Sequence, residues 1–421
     1  MTNTTNSFQE RINLRRVVVT GTSLISPIGN DPDTAFYNAL NCKSGLNYIN
    51  SFDTTHNLIK IGGEIPHPEL PEDIKFFKKN DYIPPYITYT LTTIYNLLKN
   101  SDLDSKNMHK LGLVMGLSEL SQDSGINLIQ QFNDKKEVKN NVYINSLPAT
   151  LFRLLSDIFM FGGSSSIITT ACSSSNHSII EAFLSIRSGI SDILIAGGTE
   201  ESLSSIGLKS FEVLGALSKI SEPKKASRPF DIDRNGFVLS NGAGYIILED
   251  LEHAIKRRAN ILCEIVGIGC TTDYNSLTAP PKDGIGAYRA MENCLRMAGI
   301  TEDKVDYINA HGTATRYNDI SEAYAIKQLF KDNVKNLSIS STKGVTGHCL
   351  SAASVIESIL TIKSIQNSIV LPTANLDNPD PNCLNLDFTP LKGKEKKISY
   401  ALSNSFGFGG VNSSILFKKF E

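Results

Sequence analysis

The chain is predicted to be an α/β protein, and two features of the sequence carry that expectation. Short apolar and β-branched runs alternate with helical apolar stripes along most of its length, the pattern of strands joined by helices in a mainly parallel sheet. Four strand-like runs also lead directly into loops that hold chemically unusual residues, the placement expected where α/β sheets build their sites. At 421 residues the chain can bury a large core, as two halves of roughly 200 residues each. The order of elements is broadly similar in both halves, which points to a divergent internal duplication without any short repeat.

Composition excludes several classes of function. With 41 Lys and Arg against 43 Asp and Glu, the formal charge is −2, so no general nucleic-acid or anionic-membrane partner is expected. Residues 1–13 form a polar tail without an apolar core, unlike a secretory signal. No apolar run reaches the length of a membrane span. The seven cysteines are scattered and form no CxxC pair, which fits a reduced, cytoplasmic setting and no metal site.

The elements follow in order. Val17 to Thr20 reads as a first strand, running into a Gly/Ser/Pro loop. TAFYNALNC, and YITYTLTTIYNLL from Tyr86 to Leu98, have helical stripes. Residues 43–82 are irregular, and 111–117 form a short buried strand. Residues 118–150 are polar and read as a surface insertion. DILIAGG at 192–198 is another buried strand. In the second half, GAGYIILEDLEHAIKRRA reads as strand plus helix, ILCEIVGIGCTT as a long strand, and PPKDGIGAYRAMENCLRMAGI as a loop and an amphipathic helix. SEAYAIKQLF is a helix with Ser321 as a candidate cap. The end of the chain is two strands around a glycine-rich turn.

The stretch from Ser164 to Gly189 organises the rest. Ile167 to Thr170 have the composition of a buried strand, and Cys172 follows at a turn. Ser173, Ser174 and Ser175 suit the start of a helix, Ile179 to Ile186 continue it, and Gly189 suits its stop. A thiol at a helix N-terminus meets the positive end of the dipole, which favours thiolate. A small buried core cysteine is the competing reading.

Three further junctions stand out. Asn309-Ala310-His311-Gly312-Thr313-Ala314-Thr315 puts a histidine at the end of a strand. Lys343-Gly344-Val345-Thr346-Gly347-His348 precedes a helix. In Phe406-Gly407-Phe408-Gly409-Gly410, close glycines let backbone amides approach a ligand. Taken singly, each has a bland alternative: a loop histidine, a basic loop, a hairpin turn.

Taken together and in this order, TAC at Cys172, HGTAT, KGVTGH and SFGFGG resemble the elongating β-ketoacyl-acyl-carrier-protein synthases, the ketosynthase II type and its type II polyketide relatives. VVVTG, SRPFD and NPDP are similar to further family segments, so the likeness runs from about Arg15 to the C-terminus. The resemblance implies a thiolase-like five-layer αβαβα sandwich of two similar halves, here 14–258 with the nucleophile and 259–421 with the two histidines. It implies decarboxylative Claisen condensation of a malonyl carrier with a chain held on Cys172 as a thioester. His311 and His348 match the histidines that stabilise the enolate, and Lys343 matches the active-site lysine. Glu357, 14 residues on, matches that lysine's partner. The amides of Cys172 and Phe408 would form the oxyanion hole, with Phe408 as gate and Phe406 beside it. Thr313 and Thr315 match hydroxyls that contact the pantetheine arm, and Lys78 and Lys79 lie where the carrier docks. No cofactor of its own is implied, since substrates arrive on the phosphopantetheine arm of the acyl carrier protein. His177 is expected to be a structural hydrogen bonder, and His56, His67, His109 and His253 to be surface residues.

Departures from the family pattern bear on pathway. Ser240-Asn241-Gly242-Ala243-Gly244 lacks the usual carboxylate, and Ser351 and Ser354 replace glycines. Residues 142–163 also diverge. These favour the ketosynthase subunit of a polyketide system over housekeeping fatty-acid elongation, as a homodimer or as a heterodimer with a chain-length-factor-like paralogue. A thiolase or an initiating synthase is disfavoured by His348, where those families place Cys or Asn. A non-catalytic chain-length factor is disfavoured by Cys172.

Overall fold

In the computed structural model, residues 14–65, 70–74, 83–118, 147–274, 276–383 and 386–421 are described, together with 129, 132 and 133. Ten strands form the main sheet: β1 (Val17–Ile25), β2 (Gly112–Gly116), β3 (Ser165–Ile168), β4 (Ile193–Glu200) and β5 (Gly242–Asp250), then β6 (Cys263–Thr272), β7 (Tyr307–Asn309), β8 (Ser338–Ser340), β9 (Tyr400–Gly407) and β10 (Val411–Lys418). Their spatial order is β8-β7-β9-β10-β6-β1-β5-β4-β2-β3. Outward from the central β6–β1 joint, each set of five runs first, fifth, fourth, second, third. The same order in both sets is the structural counterpart of the duplication suggested by the sequence.

The pairing is mixed rather than mainly parallel. β2 pairs in parallel with β3 and β4, and β7 with β8 and β9. The strands nearest the joint are antiparallel: β1 with β5 and β6, β4 with β5, and β10 with β6 and β9. An apolar run buried on both faces has the same composition in either direction, so the sequence did not separate the two.

Alternate residues of each strand enter different cores. Leu113, Met115, Ile195, Tyr245 and Ile247 pack with helix α1 (Pro85–Lys99) and helix α2 (Pro148–Phe159) on one outer face. Leu402, Leu416 and Ile308 pack with α4 (Ile285–Ala298) and α5 (Arg316–Phe330) on the other. Val114, Leu194, Ile246, Leu248, Ala401, Ile415 and Phe417 face a middle layer. That layer contains α3 (Ser174–Arg187) and α6 (Leu350–Asn367). The result is five layers, helix–sheet–helix–sheet–helix, in which the two five-strand sets of the one continuous sheet form the second and fourth layers. In α6 both polar and apolar residues are buried all round, from Leu350 to Ile362, as a helix at the centre of a large protein must be.

Helix α5 starts at Arg316, with Thr315 at its N-cap, so Ser321 is not a cap. It lies inside the helix and donates its hydroxyl to Pro281 O at 2.7 Å. Among the described residues no helix is long and apolar enough to cross a membrane.

Candidate active site

β3 delivers the chain to a short turn, Ala171–Ser173, which runs directly into α3. Ala171 is in the left-handed region at φ 50°, a strained conformation for a residue with a Cβ. Cys172 follows and is buried, 6% exposed. The three serines do not cap α3 in the expected way. Ser173 makes no side-chain cap bond, and Ser174 Oγ instead donates to Ala171 O at 2.7 Å and accepts from Thr170 N at 2.9 Å. His177 is a structural hydrogen bonder, with Nδ1 at 3.2 Å from Thr170 Oγ1 and 3.1 Å from Ser173 Oγ.

The thiolate expectation does not hold for the free thiol. Burial pushes the Cys172 thiol up to about 11. The Lys343 charge and the backbone N–H groups of Phe408 and Cys172 pull the other way and are outweighed. A dipole is worth at most ~2 kcal/mol, whereas full burial shifts a group by up to several pK units. The same two amides that face the sulfur are those expected of an oxyanion hole.

β7 ends at Asn309, and His311 follows on the loop. Its imidazole lies beside that of His348, with ring centroids 5.5 Å apart and planes at 80°. Phe406 stands 5.9 Å from His311, and Phe237 stands 5.1 Å from His348. Burial first, and then the Lys343 charge, hold both histidines well below the ordinary imidazole value, so both are neutral at pH 7. Lys343 Nζ donates to His311 O at 2.6 Å and lies 3.4 Å from His311 Nδ1. An ammonium can only donate, so Nδ1 is the acceptor and Nε2 carries the proton. Neither ring nitrogen of His348 has a hydrogen-bond partner among the described residues. Lys343 is ion-paired with Glu357, and both are buried.

Cys172, His311, His348, Thr313, Thr315, Phe406 and Phe408 line one cavity of about 290 Å³. The hydroxyls of Thr313 and Thr315 are 2.9 Å apart. Lys343 and Glu357 sit behind His311 and do not line the cavity. Lys78, Lys79 and His67 lie outside the described residues. His56 and His109 are exposed, while His253 is half-buried and bonded to Glu249 at 2.8 Å.

Sequence reasoning missed Glu322. Its carboxylate accepts from His311 N and Gly312 N, each at 2.9 Å, and so clamps the loop that carries His311. Burial pushes this carboxyl up to about 7 against those amide bonds. Arg234 was also missed. It is buried against Asp380 and Asp319, and donates to Thr315 O at 3.2 Å and Arg316 O at 3.3 Å. Glu322 lies within the turns of an ordinary helix, and no local spacing marks it out.

The departures are absorbed into buried hydrogen bonds. Asn241 Oδ1 accepts from Leu203 N at 2.9 Å. Ser351 Oγ lies 2.8 Å from both Thr199 O and Glu200 Oε2. Ser354 Oγ bonds Ser175 Oγ at 2.7 Å and Asn176 N at 2.9 Å, which ties α6 to α3.

The family model for the β-ketoacyl synthase N-terminal domain matches residues 14–254, and that for the C-terminal domain matches 262–377. The 3-oxoacyl-[acyl-carrier-protein] synthase 2 of Coxiella burnetii is 36% identical over 416 residues, covering 96% of this chain and 99% of that one. A ketosynthase solved in complex with its type II polyketide acyl-carrier protein and bound to a hexaketide superposes with TM-score 0.87, at 29% identity, covering 97% of this chain and 100% of that one. The ishigamide ketosynthase/chain length factor superposes at 0.89, with 27% identity and the same coverage. The fold is thiolase-like, as in these ketosynthases, and the chain belongs to the β-ketoacyl synthase family.

Proposed function

We propose that the protein is a 3-oxoacyl-acyl-carrier-protein synthase that uses Cys172 as nucleophile and His311 and His348 as enolate stabilisers. One observation supports this above the others. A buried thiol and two neutral imidazoles line the same cavity, and His348 keeps both ring nitrogens unpartnered among the described residues. A buried unpaired polar group is costly, so this arrangement suits a ligand oxygen that arrives with substrate.

The chemistry balances through these residues. The thiol of Cys172 exchanges with an acyl-carrier thioester, forming the acyl–Sγ bond and releasing the carrier thiol with the proton. The carbonyl oxygen sits on the Cys172 and Phe408 amides while it carries negative charge. Malonyl-carrier then enters and loses CO2. Its developing enolate oxygen is met by the Nε2 proton of His311 and by a ring N–H of His348. The enolate carbon attacks the Cys172 thioester, a carbon–carbon bond forms, and the thiolate leaves and takes up a proton. Neutral imidazoles suit this role, since each gives a hydrogen bond without transferring a proton to the carbanion. Thr313 and Thr315 contact the pantetheine arm in this reading, and Phe406 and Phe408 gate the cavity, all four lying on its wall. Lys343 and Glu357 act on the site through His311.

Within this reading we divide the chain into the halves 14–258 and 259–421, and place the protein in the cytoplasm. It acts as a dimer with the acyl carrier protein as its substrate-bearing partner. Asn241, Ser351 and Ser354 lie within the fold's interior and leave the Cys-His-His set untouched, so they mark a specialised relative rather than an inactive one. We assign it to a polyketide-type system. Fatty-acid elongation is the second reading, favoured by the likeness to the Coxiella burnetii synthase.

The test is reconstitution with purified acyl-carrier and malonyl-carrier, reading β-ketoacyl-carrier by mass. Formation of product by the wild type and none by Cys172→Ala supports the assignment. Product from Cys172→Ala at the wild-type rate overturns it. Native mass spectrometry of chains co-expressed with a cysteine-lacking paralogue separates the pathways. Exchange into a heterodimer favours polyketide synthesis. A homodimer that ignores the paralogue and extends ordinary acyl chains favours fatty-acid synthesis.

A further inference from the structure

The two amides that face the Cys172 sulfur come from segments far apart in sequence. One belongs to the turn before α3, the other to the turn between β9 and β10. Their relative position must be fixed by something other than chain continuity. Gly407 brings the turns together, since a Cβ there would lie 2.8 Å from Thr170 O and 3.3 Å from Cys172 N.

Two hydroxyls on the β9–β10 hairpin bridge this contact. Ser405 Oγ donates to Cys172 O at 3.0 Å. Ser413 Oγ bonds Ser173 Oγ at 2.6 Å, accepts from Asn176 Nδ2 at 3.2 Å, and lies 3.3 Å from Ser405 O. Both serines are fully buried, and they flank the turn from opposite strands. Ser405 faces Ser413 directly in the β9–β10 register. The hairpin therefore holds the backbone of Cys172 on one side and the side chain of its neighbour Ser173 on the other. We infer that Ser405 and Ser413 are positioning residues that set the oxyanion hole, by locking the Cys172 turn against the Phe408 turn. The inference rests on the ketosynthase reading above.

Neither serine touches the reacting atoms, so their removal should slow steps that pass through an oxyanion and spare those that do not. Misplacement of a reacting group by about 1 Å can cost on the order of a hundredfold in rate. The probe is a short-chain acyl N-acetylcysteamine thioester, with acylation of Cys172 followed by intact-protein mass. Alkylation by iodoacetamide, a displacement at saturated carbon without an oxyanion, is the control on the same cysteine. For Ser405→Ala and for Ser413→Ala, acylation at saturating thioester should fall about tenfold to a hundredfold. KM should match wild type and alkylation should fall far less than acylation, because the same two amides favour the thiolate but are outweighed by burial, with folding checked by thermal melting. Acylation at the wild-type rate in both variants, or a parallel loss of alkylation, overturns the inference. A loss confined to Ser405→Ala removes Ser413 from it. A wild-type protein that alkylates but is never acylated at Cys172 overturns the ketosynthase reading instead, and this inference with it.

Discussion

Lys343 holds His311 at two points, donating to its carbonyl oxygen at 2.6 Å and meeting its ring Nδ1 at 3.4 Å, while Glu357 anchors the lysine from behind. One side chain therefore fixes both the backbone and the tautomer of His311. The ion pair is buried, at 1% and 3% side-chain exposure. Lys343→Ala should destabilise the protein by about 3–5 kcal/mol, because it leaves Glu357 buried without a partner. The double variant Lys343→Met/Glu357→Leu should recover most of that stability and still lack condensation activity. Denaturant unfolding and the condensation assay check the two halves of this expectation. An active double variant would show that the pair is structural only.

The two histidines should be separable from the nucleophile. In the proposed division of roles, His348→Ala removes one donor to the enolate but neither oxyanion amide. It should still be acylated on Cys172, while malonyl-carrier decarboxylation falls by roughly two to three orders of magnitude. His311→Ala should behave in the same way. Acylation by intact mass and CO2 release, measured apart, test this. A His348→Ala protein that decarboxylates at the wild-type rate, or that cannot be acylated, contradicts the division of roles.

The free thiol of Cys172 titrates high. With burial holding it near 11, the thiolate fraction should rise about tenfold per pH unit from neutrality to about pH 10. Iodoacetamide alkylation at that one residue should follow the same slope. A plateau near pH 7 would mean that the helix dipole and amides outweigh burial after all.

Glu322 clamps the His311 and Gly312 amides with its two oxygens. Glu322→Gln presents an NH2 group to one of those N–H donors, which turns an attraction into a clash. The variant should fold, keep acylation of Cys172, and lose decarboxylation along with His348→Ala. Retained CO2 release would show that the loop is held by its other contacts, such as Ser341 Oγ on Gly312 O.

Much of this site was legible because its residues stand at the ends of strands, where TAC, HGTAT, KGVTGH and SFGFGG keep their local spacing. The residues that were not legible lie within regular elements. Glu322 is inside α5, and Ser405 and Ser413 are inside β9 and β10, where only the fold brings them to His311 and Cys172. Ser321 read as a cap because the apolar pattern starts after it, yet the helix extends five residues upstream, to Arg316. Strand direction was hidden because strands buried on both faces carry no polarity in their composition. The thiolate expectation failed for another reason: the dipole is visible in sequence, but the depth of burial that outweighs it is not.

In the proposed reaction Cys172 carries the growing chain. Intact-protein and peptide mass spectrometry after incubation with acyl-carrier, followed by malonyl-carrier, tests it most directly. One acyl adduct is expected on Cys172, discharged together with release of one CO2 per adduct as β-ketoacyl-carrier forms. An adduct on any other residue, or condensation that proceeds with Cys172 unmodified, would contradict it.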